Sequence, residues 1–192
     1  MASQRQIQII DTAASLIKKN GFENTSMRDL AAALEIEASS LYNHISSKDE
    51  ILKAICFEIA SEFIKSIYEV NDIYFDAEQK LRMAIESHIL LLTQQTDKAY
   101  VFVNEWKKLK NGDLKEFIAL RDVYQKGFET IVQNGEDEGL FNEVDQKFAV
   151  LTILSSLNWV VEWYSPEGSM SAKEIADKLT SFILSGLKKE KL

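Results

Sequence analysis

Residues that break helices are almost absent from this sequence. It contains one proline, Pro166, and 7 glycines in 192 residues. Between these breakers, apolar residues recur every three to four positions, the period of a helix that buries one face. Apolar residues make up 46% of the chain, enough for a folded core. The sequence therefore predicts an all-α fold of about nine helices.

The single cysteine and the hydropathy pattern indicate in which cellular compartment the protein is located. Cys56 cannot form an internal disulfide, and it lies beside Ile55 in an apolar helical stripe, so we interpret it as a packing residue. The first ten residues lack the layout of a signal peptide, and no apolar run reaches the roughly 18 residues of a membrane span. We therefore expect a cytoplasmic protein that does not cross a membrane.

The segment from Thr25 to Lys48 predicts two short helices joined by a tight turn. Thr25 and Ser26 precede the first helix, where a hydroxyl can accept a backbone N–H of the first turn. Asp29 stands three residues after Ser26 and completes an acidic variant of the capping box. The second helix is predicted over Ala38–Ile45.

The two faces of this second helix differ in polarity. Leu41 and Ile45, four residues apart, form a buried edge. The other face carries Ser39, Ser40, Tyr42, Asn43 and His44. A short polar helix held against a neighbouring helix has the shape that enters a DNA major groove.

This segment resembles the helix-turn-helix of TetR/AcrR-type bacterial transcriptional regulators. The matching residues, in order and spacing, are Gly21-Phe22, Thr25, Leu30-Ala31, Leu41-Tyr42 and Ser47-Lys48-Asp49. The resemblance implies a three-helix DNA-binding domain at residues 1–46, followed by a helical effector-binding and dimerisation domain at residues 47–192. It also implies a homodimer that presents two such helices to double-stranded operator DNA.

The resemblance assigns two kinds of DNA contact. Base edges are expected to be contacted by Ser39, Ser40 and Asn43. Phosphates are expected to be held by Thr25, Ser26, Tyr42, His44 and Lys48. Other interpretations remain open, since Tyr42 and His44 can pack against the domain and Lys48 can be a solvated charge.

Two residues of the turn depart from the family pattern. Glu35 stands where the family usually has glycine, so it must adopt a backbone conformation that glycine tolerates better. Glu37 stands where the family usually has serine, and it is a poorer helix cap. Both residues add negative charge near the expected position of the phosphates.

The net charge of −8 is unevenly distributed. Residues 1–48 contain as many basic as acidic side chains, so the expected DNA-binding domain is neutral and the rest of the chain is acidic. Screening over about 8 Å at cellular salt makes a distant acidic domain tolerable. A neutral domain predicts few phosphate contacts and a shallow salt dependence of binding.

The aromatic-rich remainder of the chain contains the candidate effector contacts. These are His88, Trp106, Arg121, Tyr124 and Trp159. His88 lies within an apolar stripe, where it is either a satisfied core residue or a polar contact for a bound molecule. Arg121 shares a helix face with Phe117 and Tyr124, and it either contacts a ligand anion or packs its stem at an edge.

The last two predicted helices indicate a dimer interface. The helix at Asp145–Tyr164 is apolar almost all round, and the one at Ser171–Lys188 begins with a capping box. One chain has too little surface to cover both faces, whereas a twofold four-helix interface would cover them.

Catalytic motifs are absent from the sequence. It has no Gly-rich phosphate loop, no CxxC, no HExxH and no nucleophile elbow, and its 2 histidines belong to different predicted domains. We expect no enzyme, no metal and no cofactor. The family resemblance implies a ligand-responsive DNA-binding transcriptional regulator, a repressor released from its operator by a small apolar or amphipathic effector. The segment from Trp163 to Gly168 resembles family members that sense fatty acids or acyl-CoA, which implies an effector of that kind. The alternative is a helical sensing or partner-binding dimer with a weakened DNA-binding domain.

Overall fold

A computed structural model describes residues 3–189. Its α-helices are α1 (Gln4–Asn20), α2 (Met27–Ala33), α3 (Ala38–Tyr42), α4 (Lys48–Asp72), α5 (Ala77–Gln94), α6 (Thr96–Asn104), α7 (Asn111–Asp137), α8 (Gln146–Asn158), α9 (Val160–Trp163) and α10 (Ala172–Leu187). Strand pairing in this part of the chain is limited to an isolated bridge between Phe141 and Lys188. Only Trp159 separates α8 from α9, so together they count as one broken helix. The prediction of an all-α fold with about nine helices is confirmed.

The chain divides into two compact units. The first unit contains the chain up to Ala60 together with Gln95–Ile118, and the second contains Ser61–Gln94 together with the chain from Ala119 onward. Because of these bounds, α4 and α7 each contribute residues to both units. The boundary between residues 46 and 47 that the family resemblance implies stays a prediction.

Ion pairs join α6 to the N-terminal helices within the first unit. The Lys98 ammonium, on α6, lies 2.8 Å from a carboxylate oxygen of Asp11 and 3.8 Å from one of Glu58. Lys98 is buried, so these carboxylates supply the countercharge that a desolvated ammonium requires. A more exposed pair, Lys18 with Asp97, joins α1 to α6 at 2.9 Å. Helix α6 is therefore an integral part of the unit that contains the helix-turn-helix segment.

The second unit has its own apolar core. Helices α5 and α10 pack along each other, and α7 and α8 add buried residues to the same cluster. Helix α7 makes two close approaches: a Cβ atom at Gly127 would lie 2.4 Å from Ile67, and one at Gly135 would lie 2.1 Å from the ring of Phe141. Glycine at these positions lets α4 and the Phe141 segment come closer to α7 than any side chain would allow.

Candidate functional site

The α3 segment has one buried apolar side and one polar side that is exposed to solvent. Leu41 is fully buried and Ile45 is nearly so, as predicted. Tyr42 is 54% exposed, so its ring is not part of the core. The other exposed side chains of this face are Ser39, Ser40, Asn43 and His44. The exposed set is the one that the sequence pattern assigned to DNA.

The helix itself is shorter than predicted. It ends at Tyr42 rather than at Ile45, and the N–H of His44 donates to the carbonyl of Leu41, three residues before it, which tightens the last turn. Asn43 and His44 therefore lie in the turn that follows α3. The Gln6 side chain, on α1, donates to the carbonyl of His44 at 3.1 Å and fixes this turn against the first helix.

The start of α2 is a complete capping box. The Ser26 hydroxyl accepts the N–H of Asp29 at 3.2 Å, and the Asp29 carboxylate accepts the N–H of Ser26 at 2.8 Å. The Ser26 hydroxyl and backbone both hydrogen-bond the Asp29 carboxylate, which lowers the pKa of Asp29. Although Ser26 is exposed, its hydroxyl proton and its N–H are both donated to the Asp29 carboxylate, which leaves neither for a phosphate oxygen.

Thr25 does not face solvent. It is 3% exposed, and its hydroxyl lies 2.9 Å from the carbonyl of Gly21 and 3.4 Å from that of Leu16. The hydroxyl proton is therefore used within the domain, which leaves none for a phosphate oxygen. The family resemblance implies that Thr25 contacts a phosphate. In the structure, Thr25 instead connects the loop before α2 to the end of α1.

Lys48 is also engaged within the first unit. Its ammonium donates to the backbone carbonyl of Phe22 and lies 4.3 Å from the centre of the Phe22 ring. A phosphate would compete with these contacts. By contrast, Arg28 is an exposed cation on α2 that the sequence reasoning did not single out, although its position two residues after the cap was a usable signal.

The turn between α2 and α3 contains a residue in the left-handed region. Glu35 has φ +54°, as the comparison with the family pattern predicted. The N–H of Glu35 donates to Ala32 and that of Ile36 donates to Ala31, both at 3.1 Å, so α2 ends in a Schellman motif with glutamate at the usual glycine position. Glu37 provides no side-chain cap for α3, also as predicted.

Many lysines of the first unit are paired with carboxylates. These ion pairs are Lys18–Asp97, Lys53–Asp113, Lys98–Asp11, Lys108–Glu23 and Lys110–Asp49. Each paired lysine contributes little net charge to a DNA-facing surface. Residues 1–48 have no net charge in the sequence, and these ion pairs also neutralise lysines of the first unit outside that range.

A buried polar pair lies inside the second unit. His88, on α5, is 2% exposed, and its Nδ1 lies 2.9 Å from the hydroxyl oxygen of Tyr124 on α7. The ring of Phe63, on α4, lies 4.6 Å from His88 and 5.1 Å from Tyr124 between centroids. Burial lowers the pKa of His88 to about 3, and the Asn158 side chain opposes this only in part. His88 is therefore neutral at physiological pH.

The five predicted effector residues are only partly brought together. His88 and Tyr124 are in contact, and Arg121 is an exposed residue one turn before Tyr124 on α7. Partial burial lowers the pKa of Arg121. Trp106 belongs to the first unit, where its ring packs 5.7 Å from that of Phe117. Trp159 is 63% exposed and packs against Trp163 at 5.8 Å.

Large apolar side chains are exposed on the C-terminal helices. They are Phe148 and Leu151 on α8, Trp163 on α9, Trp159 between these helices, and Phe182 on α10, which is 78% exposed. Large exposed apolar side chains concentrated on a few helices are typical of an interaction site.

Membrane spans and metal clusters would each change what this chain can do. None of the helices between residues 3 and 189 combines the length and apolar character needed to cross a bilayer. The same residues bring together no group of three or more His, Cys, Asp or Glu side chains that is arranged to hold a metal ion. Cys56 is fully buried, as predicted, and burial raises its pKa to about 12, so it is a packing residue.

Known proteins share both the sequence pattern and the fold. Residues 9–55 match the family described as bacterial regulatory proteins, tetR family, and residues 75–187 match the tetracyclin repressor-like C-terminal domain. The transcriptional repressor KstR2 of Mycolicibacterium smegmatis is 22% identical over 96% of this chain and 91% of its own length.

Two solved structures are similar along nearly the whole chain. The TetR-family transcriptional regulator PfmR from Thermus thermophilus is 32% identical, with a TM-score of 0.85 over 94% of this chain and 99% of that one. AibR, solved in complex with isovaleryl coenzyme A and operator DNA, is 27% identical, with a TM-score of 0.83 over 95% of this chain and 100% of that one. The helix-turn-helix segment, the helical second unit and these matches agree, and the chain belongs to the tetR family of bacterial regulatory proteins.

Proposed function

We propose that this protein is a cytoplasmic, homodimeric repressor that binds operator DNA and releases it when a small apolar or amphipathic effector binds. The observation that carries the proposal is the α3 segment, whose polar side chains are exposed while Leu41 and Ile45 are buried. This arrangement gives a rigid polar surface narrow enough for a major groove. Family membership supports the same function.

The side chains on this surface divide into two roles. Ser39, Ser40 and Asn43 are short hydrogen-bonding groups suited to base edges. Tyr42 and His44 flank them and are suited to phosphates, as is the exposed Arg28 on α2. Ser26, at the start of α2, joins this second set only if its hydroxyl gives up its bond to Asp29. Lys48 joins this second set only if it gives up its contact with Phe22.

Dimerisation supplies a second α3 segment that can contact DNA. The exposed apolar residues of α8 to α10 form a face that a second copy of this chain can bury through its own identical face. Two α3 segments related by a twofold axis would then address major grooves about 34 Å apart on a near-palindromic site.

Effector binding is proposed to occur in the second unit, at the aromatic cluster around His88 and Tyr124. Helix α4 contributes Phe63 to this cluster and also contains Lys48 and Ile51 of the first unit. We propose that α4 can adopt two positions, one in the dimer that binds DNA and one in the dimer that does not. An effector with higher affinity for one of these two states would shift the equilibrium between them. The acyl-CoA complex of AibR supports an acyl-CoA or fatty-acid effector for this chain.

DNA binding is tested by gel shift with the region upstream of the protein's own gene. Tyr42→Ala should weaken binding to all sequences, and Asn43→Ala should change which bases are preferred. Lys48→Ala should weaken binding to all sequences only if Lys48 leaves Phe22 to contact a phosphate. Tyr74→Ala removes a fully exposed tyrosine of the second unit and serves as the matched control. Equal loss of binding in Tyr42→Ala and Tyr74→Ala would contradict the assignment of α3.

The dimer is tested by sedimentation at micromolar concentration. The wild-type chain should sediment as a dimer, and Phe182→Lys should dissociate it by placing a charge in the apolar face. Tyr74→Lys, at a fully exposed position outside that face, should leave the dimer intact. An intact dimer that fails to shift DNA at low salt would instead favour the helical sensing dimer with a weakened DNA-binding domain, as Glu35 and Glu37 suggest.

A further inference from the structure

One nitrogen of the buried His88 ring has no hydrogen-bond partner. Among residues 3–189, Nδ1 faces the Tyr124 hydroxyl, whereas Nε2 is buried and makes no hydrogen bond. The Asn158 side chain is near enough to raise the pKa of His88, as a hydrogen-bond acceptor does, but its geometry does not make a hydrogen bond to Nε2. A buried polar atom without a partner is costly, so native structures rarely retain one that has no role.

The position of the ring proton follows from counting unsatisfied groups. If Tyr124 donates its hydroxyl proton to Nδ1, the proton of the neutral ring lies on Nε2, and only that N–H lacks a partner. If Nδ1 donated to Tyr124 instead, both the Tyr124 hydroxyl proton and the Nε2 lone pair would lack partners. The first arrangement leaves fewer buried groups unsatisfied, so Nε2 is a hydrogen-bond donor.

The surroundings of this donor are aromatic. Phe63 lies against both rings of the pair, and Phe128 lies 5.4 Å from Tyr124 in an edge-on arrangement. Tyr124 is only half-buried as a whole residue, although its hydroxyl is desolvated enough to raise its pKa well above the usual value. Its ring therefore extends from the surface of the second unit to the buried imidazole.

We infer that His88, oriented by Tyr124, donates its Nε2–H to an uncharged carbonyl oxygen of the effector, and that the effector is an acyl thioester whose chain packs on Phe63 and Phe128. This inference rests on the proposed function, because it assigns chemistry to the effector site. The donor is neutral and enclosed by aromatic rings, so it suits a thioester carbonyl. A carboxylate there would be desolvated without a countercharge from the ring cluster.

The experiment compares ligands that differ only at the carbonyl. Octanoyl-CoA and its thioether analogue S-octyl-CoA are titrated by calorimetry into the full-length protein without DNA. Wild-type protein should bind octanoyl-CoA about tenfold more tightly, because only the thioester satisfies the buried donor. His88→Phe should bind both ligands equally, whereas His88→Gln, which keeps an N–H donor on a side chain of similar reach, should retain part of the preference.

A measurement on the ligand-free wild-type protein accompanies this comparison. Nitrogen-15 NMR should show that the neutral His88 ring carries its proton on Nε2, even if the His88 variants fold poorly. A proton on Nδ1, equal binding of the two ligands by wild-type protein, a preference that survives in His88→Phe, or no binding of either ligand would each overturn the inference. Loss of operator binding alone would contradict the proposed function and leave the ligand preference to be decided by calorimetry.

Discussion

Acidification is expected to destabilise this protein through His88, and the magnitude follows from its burial. The pKa of His88 is about 3 in the folded protein, whereas an exposed histidine in the unfolded chain titrates at about 6.5. Between these values the unfolded state binds a proton that the folded state excludes, so the free energy of unfolding falls as pH falls. Each pH unit below about 6.5 contributes about 1.4 kcal/mol, and the loss from pH 7 to pH 5 is about 2 kcal/mol.

The assay is urea unfolding followed by circular dichroism at pH 7 and pH 5, at one fixed protein concentration because the proposed dimer links stability to concentration. His88→Gln removes the titrating group, so its stability should fall by about 2 kcal/mol less than that of the wild type. His44→Gln is the matched control, because His44 is the other of the 2 histidines and is exposed.

Carboxylates do not confuse this comparison. Glu50, Glu78 and Glu174 have pKa values lowered by hydrogen bonds, so the stability that they provide is present at neutral pH and is lost as pH falls through their folded-state pKa values. These contributions are common to all variants and cancel in the difference. If the wild type and His88→Gln lose equal stability between pH 7 and pH 5, His88 is not buried in its neutral form and the reasoning is refuted.

Two further pairs of substitutions test local backbone geometry by urea unfolding. Gly135→Ala should destabilise by about 1–3 kcal/mol, because its Cβ would lie 2.1 Å from the buried ring of Phe141, whereas Gly186→Ala, with nothing within 4 Å, should stabilise α10 by about 1 kcal/mol. Glu35→Gly should stabilise by about 1 kcal/mol by relieving the left-handed conformation at φ +54°. Glu35→Gln removes the same charge but keeps that conformation, and an equal gain from it would show that charge, not backbone strain, is responsible.

The helices could be predicted well where side chains mark their ends. The capping boxes at Ser26 and Ser171 are visible as local sequence patterns, and the structure contains both. The ends set by tertiary packing could not be predicted in this way. The predicted helix over Asp145–Tyr164 is interrupted at Trp159, a residue type that does not signal a helix end.

The candidate sites show the same limit. Periodicity places His88 on an inward face, but it cannot tell that the partner of the imidazole is Tyr124, 36 residues away on another helix. The resemblance assigns the Thr25 hydroxyl and the Lys48 ammonium to phosphates, whereas in the structure both bind backbone carbonyls of their own unit. A motif identifies the residue types that suit an interface, and only the fold shows which of them are already engaged.

The charge balance of the first unit indicates how such a protein can select its operator. Exposed lysines of the first unit are held in ion pairs, as Lys108 is with Glu23, and Glu35 and Glu37 add negative charge beside α3. Sequence-independent attraction to DNA is therefore weak, since that term grows with the number of phosphates neutralised. Under the proposed function, specific binding then depends more on base contacts from Ser39, Ser40 and Asn43 and on the spacing of two α3 segments in a dimer. The same proposal implies that a small displacement of the paired segments is enough to release the operator, because little non-specific affinity would remain to hold the protein on DNA.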